Sequence, residues 1–308
     1  MRHLRIGTRG SLLAKWQAEF VRKQLFALAG VETEIVIIKT AGDKLQNASL
    51  TQIGGKGVFV KELEDALLAE TIDLAVHSVK DVPTDVPSGL SFPAVLRRDD
   101  VRDCLVSAKG ATLANLRQGA RVGTSSLRRQ AQLRHLRPDL DVRDLRGNVD
   151  TRLRKVESGE YDAILLAKAG LDRLGLSQRI SEVFSPEVCT PAVGQGAIAV
   201  QCRAKDAEAA EVLSRLDDAE TRNAIIAERA LLKAVQGGCQ VPLGAWARME
   251  RDQMVMEACV CSVDGTQCIR QRATASPEEA AALGERMANL LLEAGAQAIL
   301  EEVGRARG

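Results

Sequence analysis

Apolar and polar positions along the chain switch repeatedly between two periods. Residues 4–7 read as a short buried strand, 11–28 carry apolar positions at helical spacing behind a serine, and 34–40 are extended again. A helical stretch at 61–70 then feeds an apolar strand at 73–77. The pattern resumes with strands at 103–107 and 121–123, a helix from Ser126 that Pro138 stops, and a strand at 142–145. A helix over 149–158, closed by Gly159, leads into the apolar run 162–167, which reads as a buried parallel strand. Such alternation predicts an α/β fold. From residue 219 the order changes to a helix over 219–235, strand-like runs at 243–248, 254–262 and 268–273, and a helix over 277–294. That order predicts a small α+β domain with an antiparallel sheet.

Two segments echo each other. Arg5, Ile6, Gly7, Thr8, Arg9, Gly10 and Ser11 precede one helix much as Arg121, Val122, Gly123, Thr124, Ser125 and Ser126 precede another. Each is a strand, a Gly-Thr pair and a hydroxyl that can cap a helix. The intervals to the next aspartate-led strand differ, so the echo predicts two similar lobes and not a strict repeat. Junctions rich in proline and glycine near 88–93 and 190–196 suggest two crossings between lobes. The expected domains are 1–96 with 197–217, then 97–196, then 218–308. Ligands of open parallel sheets bind beyond the carboxyl ends of the strands. Both Gly-Thr turns are therefore expected at a shared cleft, with Arg9 and Ser11 facing Ser125 and Arg128.

The charge balance narrows the ligand. The 42 basic and 41 acidic side chains of the 308 residues nearly cancel, and aromatics make up only 3%. Nucleic-acid binding gains no support from this balance. The amino-terminal residues enter directly into a strand and an amphipathic helix, and no window approaches the roughly 18 to 20 apolar residues of a membrane span. A cytoplasmic location without membrane contact is expected. Seven cysteines, an odd number without CxxC spacing, point to reduced thiols and against a disulfide framework. Cys259 and Cys261 alternate onto one strand face with Cys268 on a possible neighbour, yet the three histidines lack ligand spacing, and no metal site is expected.

Against this neutral background, residues 121–154 hold nine arginines, no lysine and four aspartates. Arginine grips an oxyanion with two parallel hydrogen bonds, whereas lysine is a point charge, so the exclusion of lysine favours a defined carboxylate or phosphate ligand. Thr124, Ser125 and Ser126 add hydroxyls at a helix start, where free N–H groups and the dipole also attract anions. A solvated basic face is the plainer alternative, which the hydroxyl run disfavours. Asp81, in the run 77–83 after a buried strand, sits at the expected mouth of the cleft beside Ser78 and Lys80; a carboxylate there can act as acid or base or hold a cation. A simple turn aspartate is the alternative, and His77 reads as a packed strand residue. The Gly-rich run 54–58 lacks the Walker pattern, leaving Lys56 on a loop that could cover an anion. Cys239, in the tight turn 237–242, is the thiol best placed for covalent chemistry, although a packed thiol is the commoner use of cysteine.

In order, IGTRGSLLAKWQ, GGKGVFVKELE, DLAVHSVKDVP, GTSSLRRQ, LRGNVDTRL, PAVGQGAIAVQC and GGCQVP closely resemble the motifs of the porphobilinogen deaminases, also called hydroxymethylbilane synthases. The match runs from residue 4 to about 245. The resemblance implies a cytosolic, monomeric enzyme of tetrapyrrole synthesis with two lobes similar to type II periplasmic binding proteins and a small third domain. It further implies head-to-tail joining of four porphobilinogen molecules with loss of ammonia. The growing polypyrrole starts on a dipyrromethane cofactor thioether-linked to Cys239, and the product is handed to uroporphyrinogen-III synthase. By motif correspondence Asp81 is catalytic. Lys56, Ser78, Lys80, Thr124, Ser125, Ser126, Arg128, Arg129, Arg146 and Asn148 contact the cofactor; Arg9, Ser11, Arg152, Arg173 and Gln195 contact substrate carboxylates. Gln52 departs from the family's common lysine before the GGKG loop. A two-lobed solute-binding module for a polycarboxylate is the competing reading; it needs neither Asp81 nor Cys239.

Overall fold

The computed structural model describes residues 3–40, 60–235 and 241–305. The chain divides into two compact units, Met1–Asp99 with Ala197–Arg222, and Asp100–Gly196 with Asn223–Gly308. In chain order the main elements of the first unit's opening segment are β1 (Leu4–Thr8), α1 (Leu12–Ala29), β2 (Thr33–Ile37), α2 (Lys61–Leu68), β3 (Leu74–Ser78) and β4 (Leu90–Val95). The second unit opens with β5 (Asp103–Ser107), β6 (Arg121–Gly123), α3 (Leu127–Leu136), β7 (Asp141–Arg143), α4 (Val149–Glu157), β8 (Ala163–Ala167), α5 (Lys168–Arg173) and β9 (Glu182–Val183). Then come β10 (Ile198–Arg203) and α6 (Ala207–Ser214) in the first unit. The helix α7 (Ala219–Ala234) follows, with β11 (Leu243–Glu250), β12 (Gln253–Cys261), β13 (Cys268–Ala275), α8 (Ala280–Leu291) and α9 (Gln297–Arg305).

The first unit is built on a sheet of order β2-β1-β3-β10-β4. Strands β1, β2 and β3 run parallel, and β10 is antiparallel to β3 and β4. Helix α1 buries Ala18, Val21 and Leu25, one stripe at helical spacing, against Ile6, Leu74 and Val200 of the sheet, with Gln17 also buried. Gly30, at φ 62°, ends α1 through bonds to the carbonyls of Leu25 and Phe26. The Pro/Gly-rich stretch at 88–93 mostly forms the edge strand β4. Its pairing with β10 shifts register between Val200 and Cys202, and Pro93, which has no N–H to donate, lies in the irregular part.

The second unit repeats this plan. Its sheet has the order β7-β6-β8-β5-β9, again with three parallel strands followed by an antiparallel one. The likeness extends to details. Arg5 N donates to Asp73 Oδ2 at 3.0 Å, and Arg121 N donates to Asp162 Oδ2 at 2.7 Å, so each parallel trio is latched by an aspartate preceding its third strand. Gly7 and Gly123 are close-packed glycines. A Cβ on the first would lie 2.3 Å from Ile72 Cδ1, and on the second 2.8 Å from Leu145 and Tyr161 side-chain atoms. The echo in the sequence is thus a repeated sheet, and the α/β class with its additional antiparallel sheet is as expected.

Strands β11, β12 and β13 form an antiparallel meander. One face carries Ala245, Met254, Met256 and Val260 into a core with Leu231 of α7 and Leu283, Met287 and Leu291 of α8. The helix expected over 277–294 starts with a capping box of Ser276 and Glu279, and Gly295 at φ 101° separates it from α9, which the hydrophobic pattern did not reveal. The expectation of uniformly reduced cysteines is corrected at one place. Cys261 and Cys268 are direct partners across β12 and β13 and are joined as a disulfide, while Cys104, Cys189, Cys202 and Cys259 are free thiols. Among the described residues, no helix is long and apolar enough to cross a membrane.

Candidate active site

In the first unit, β1 and β3 are parallel neighbours, so the segments leaving their carboxyl ends emerge on one edge of the sheet. After β1, Thr8 is fully buried with its Oγ1 donating to Ala14 O at 3.0 Å, Arg9 is half-buried, and Ser11 caps α1 by accepting from Ala14 N at 3.3 Å. After β3, a single 3-10 turn over Val79–Asp81 presents Lys80 and Asp81, both half-buried. The turn is pinned from behind: Val79 N donates to Ala197 O at 3.0 Å, and Ser78 Oγ accepts from Gln17 Nε2 at 2.8 Å. Asp81 therefore stands on a short, tethered element and not on a loose loop. His77 points the other way, buried with Nε2 3.0 Å from Gln201 Oε1 and its ring edge against Phe92. Burial pushes its pKa down to about 4, partly opposed by the hydrogen bond to Gln201. It is a packed residue, as expected.

The corresponding edge of the second unit follows β6, β7 and β8. Thr124 is fully buried, with its N–H bonded to Arg143 O and its Oγ1 accepting from Ser126 N at 3.3 Å. Ser126 caps α3, accepting from Arg129 N at 3.5 Å, and Ser125 is half-buried beside it. After β7, Arg146, Gly147 and Asn148 lead into α4, where Asn148 occupies the N-cap position without using its side chain to cap the helix. Arg152 Nε donates to Gly147 O at 2.7 Å, fixing that loop. Arg173, buried at the end of α5, donates to Gly196 O at 2.7 Å.

The largest departure from expectation concerns Arg128 and Arg129. Both are buried and both bind Asp103, the first residue of β5. Arg128 Nη1 reaches Asp103 Oδ2 at 2.6 Å and Thr190 O at 2.7 Å. Arg129 holds Asp103 Oδ1 through Nε at 3.1 Å and Nη2 at 2.6 Å. Gln195 Nε2 donates to the same oxygen at 2.8 Å and to Val101 O at 2.7 Å. Burial alone would raise the pKa of Asp103, but the two guanidiniums overcome this and hold it well below the usual carboxylate range. The two arginines sit in the first turn of α3, where the helix dipole repels positive charge and no acidic side chain is present. A signal for this partner was available: Asp73, Asp103 and Asp162 are each an acid entering an apolar strand, and the first and last latch their sheets. Among the described residues, the buried Arg128 Nε has no hydrogen-bond partner.

The structure thus gathers Arg9, Ser11, Ser78, Lys80 and Asp81 on one sheet edge. Thr124, Ser125, Ser126, Arg146, Asn148 and Arg152 lie on the other, with Arg128, Arg129 and Gln195 supporting it from within. Lys56, Gln52 and Cys239 lie outside the described residues. Guanidinium, hydroxyl and amide donors at the strand ends of each unit, and a tethered carboxylate in the first, are the chemistry of an α/β protein that can bind carboxylate-bearing ligands. The comparisons make that class specific. Residues 4–211 match the family model described as "Porphobilinogen deaminase, dipyromethane cofactor binding domain", and 223–293 match the C-terminal domain of the same family. A porphobilinogen deaminase of Trichlorobacter lovleyi is 49% identical over 98% of this chain and 97% of its own length; that of Syntrophobacter fumaroxidans is 47% identical over 99% of each. Among solved structures, a periplasmic substrate-binding protein from Coxiella burnetii overlays with a TM-score of 0.44 at 14% identity, covering 69% of this chain and 91% of that one. The chain belongs to the porphobilinogen deaminase family.

That family's first domain is described by a dipyrromethane cofactor, whose pyrroles bear acetate and propionate groups. The donor set fits it. Ser125 and Asn148 have side chains not committed to helix capping, Arg146 and Arg152 flank Asn148 in the chain, and the buried Arg128 Nε has no acceptor among the described residues.

Proposed function

We propose that this chain joins four porphobilinogen molecules head to tail, releasing ammonia, to form the linear tetrapyrrole hydroxymethylbilane. The carrying observation is the placement of Asp81 on a turn tethered at both Ser78 and Val79, beside Lys80, at the same sheet edge as Arg9 and Ser11. A solute-binding module needs no such carboxylate. Asp81 holds the pyrrole N–H groups, shares a proton with the departing amine and takes up the α-proton once the rings have joined. Arg9, Ser11, Arg152 and Arg173 bind substrate acetate and propionate, while Thr124, Ser125, Ser126, Arg146, Asn148, Ser78, Lys80 and Lys56 hold the cofactor. Cys239 would hold the dipyrromethane, which would supply a free pyrrole α-carbon for chain growth. Arg128, Arg129 and Gln195 serve the same edge, fixed in place by Asp103.

In this reading the lobes are 1–96 with 197–217 and 97–196, and 218–308 is a third domain carrying Cys239. In the same reading the protein is a cytoplasmic monomer that engages neither nucleic acid nor membrane; its near-zero net charge gives no electrostatic drive toward nucleic acid. Its product passes to uroporphyrinogen-III synthase. The test is intact mass combined with turnover: the protein should carry the mass of two condensed pyrroles and release ammonia from porphobilinogen. An unmodified chain with full activity would overturn the cofactor assignment.

A further inference from the structure

One cluster takes no part in this chemistry. Cys259 and Cys261 alternate along β12 onto one face, and Cys268 pairs directly with Cys261 across β13, their Cα atoms 4.1 Å apart. The three sulfurs lie within 4.8 Å of one another. They face away from the core formed with α7 and α8 and pack instead against Ala131 of α3. Cys259 and Cys261 are fully buried, whereas Cys268 is half-buried and gives the cluster an opening to solvent. A cross-strand disulfide uses two thiols. Here a third, free, lies beside the pair.

We propose that in its reduced form this trio binds one thiophilic d10 cation, copper(I) by preference. Thiolate ligands select soft metals, and structural zinc takes four protein ligands. Among the described residues, only these three of all cysteine, histidine and acidic side chains converge in this way, which suits a three-coordinate ion. The structure holds Cys261 and Cys268 as a disulfide. A dithiol reductant supplies two electrons and two protons, returning two thiols and leaving as its own cyclic disulfide. Binding of copper(I) then releases three protons and leaves a site of charge −2. Cations are at hand to offset it. Arg270 is the register partner of Cys259 and shares its face, its Nη1 donating to Thr190 Oγ1 at 2.8 Å. Arg128 lies one turn before Ala131 on α3. The ion would fasten β12 and β13 beneath the helix that carries the arginine pair.

The test uses the full-length holoenzyme, reduced with dithiothreitol, desalted without oxygen and titrated with copper(I) held by a coloured chelator. One copper per chain should be withdrawn, with thiolate-to-copper absorption appearing in the near ultraviolet. Cys268→Ser, at the open edge, and Cys259→Ser/Cys268→Ser should lose both signals, and Cys202→Ser, in the other unit, should keep them. Equal copper uptake by wild type and Cys259→Ser/Cys268→Ser overturns the proposal, as does a reduced wild type that leaves the chelator fully loaded. Tighter binding of zinc than of copper under the same conditions overturns the three-coordinate assignment.

Discussion

Replacing Asp103 by asparagine keeps its shape and removes its charge. The carboxylate is fully buried and accepts hydrogen bonds from Arg128, Arg129 and Gln195, so the substitution strands two guanidiniums that water cannot reach. Removing one partner of a buried ion pair typically costs about 3–5 kcal/mol, because the remaining charge has already lost its hydration. For a unit of this size each kcal/mol corresponds to about 2–4 °C, so the melting temperature of Asp103→Asn should fall by about 6–20 °C at neutral pH. The sign of the pH dependence follows from the depressed folded-state pKa. The pair's contribution is complete above the unfolded carboxylate's value of about 3.9 and is lost as pH falls toward the folded one. Calorimetry of wild type and variant at pH 7 and again at acid pH should therefore show a gap that narrows with acidification. Glu19→Gln, which breaks an exposed pair with Arg22, provides the control and should shift melting little. A melting temperature for Asp103→Asn within a degree of wild type at pH 7 would refute the claim that Asp103 holds the arginines in place.

Four further outcomes are expected. Asp81→Asn should fold and retain its cofactor by intact mass while kcat falls about 10²–10⁴-fold; near-normal turnover would remove Asp81 from the chemistry. Cys239→Ala should lose the dipyrromethane mass, and retention of that mass would place the thioether elsewhere. His77, neutral when folded down to about pH 4, lets stability drain by up to about 3 kcal/mol as pH falls from about 6.5, since the unfolded chain takes up the proton first. Denaturant titrations of His77→Gln should show a flatter profile across that window, and an unchanged slope would contradict it. Gly123→Ala places a methyl 2.8 Å from Leu145 and Tyr161 atoms and should cost about 1–3 kcal/mol by overpacking, checked by urea unfolding.

What could be read from sequence was what local chemistry determines. The Gly-Thr turns, the serine caps at Ser11 and Ser126, and the apolar strands β1, β3, β6 and β8 each declare themselves within a few residues. Likewise, alternation alone put Cys259 and Cys261 on one face. The edge strand β4 was hidden by Pro93, whose place is explained only by its irregular pairing with β10, more than a hundred residues later. Asp103 was missed for a similar reason: its partners Arg128 and Gln195 are 25 and 92 residues away, and no short pattern links them. The Cys261–Cys268 contact depended on the register of β12 and β13, which hydrophobic spacing does not specify. Within the site, residue types were legible, but the division between donors exposed at the sheet edge and donors spent on an internal carboxylate was not.

Asp103 has a consequence for how such an enzyme can let go of what it makes. A cradle of bare guanidiniums would hold a product with many acidic side groups most tightly when the reaction is complete, and catalysis would stall on release. In the proposed reading one anion is built in, and the two guanidiniums buried against it have little charge left to offer a ligand. An incoming carboxylate would then meet fewer open arginines than the sequence carries and bind more weakly than charge alone implies. The same buried aspartate that keeps the protein folded would also set a ceiling on its affinity, which a processive chain-builder needs if it is to start again.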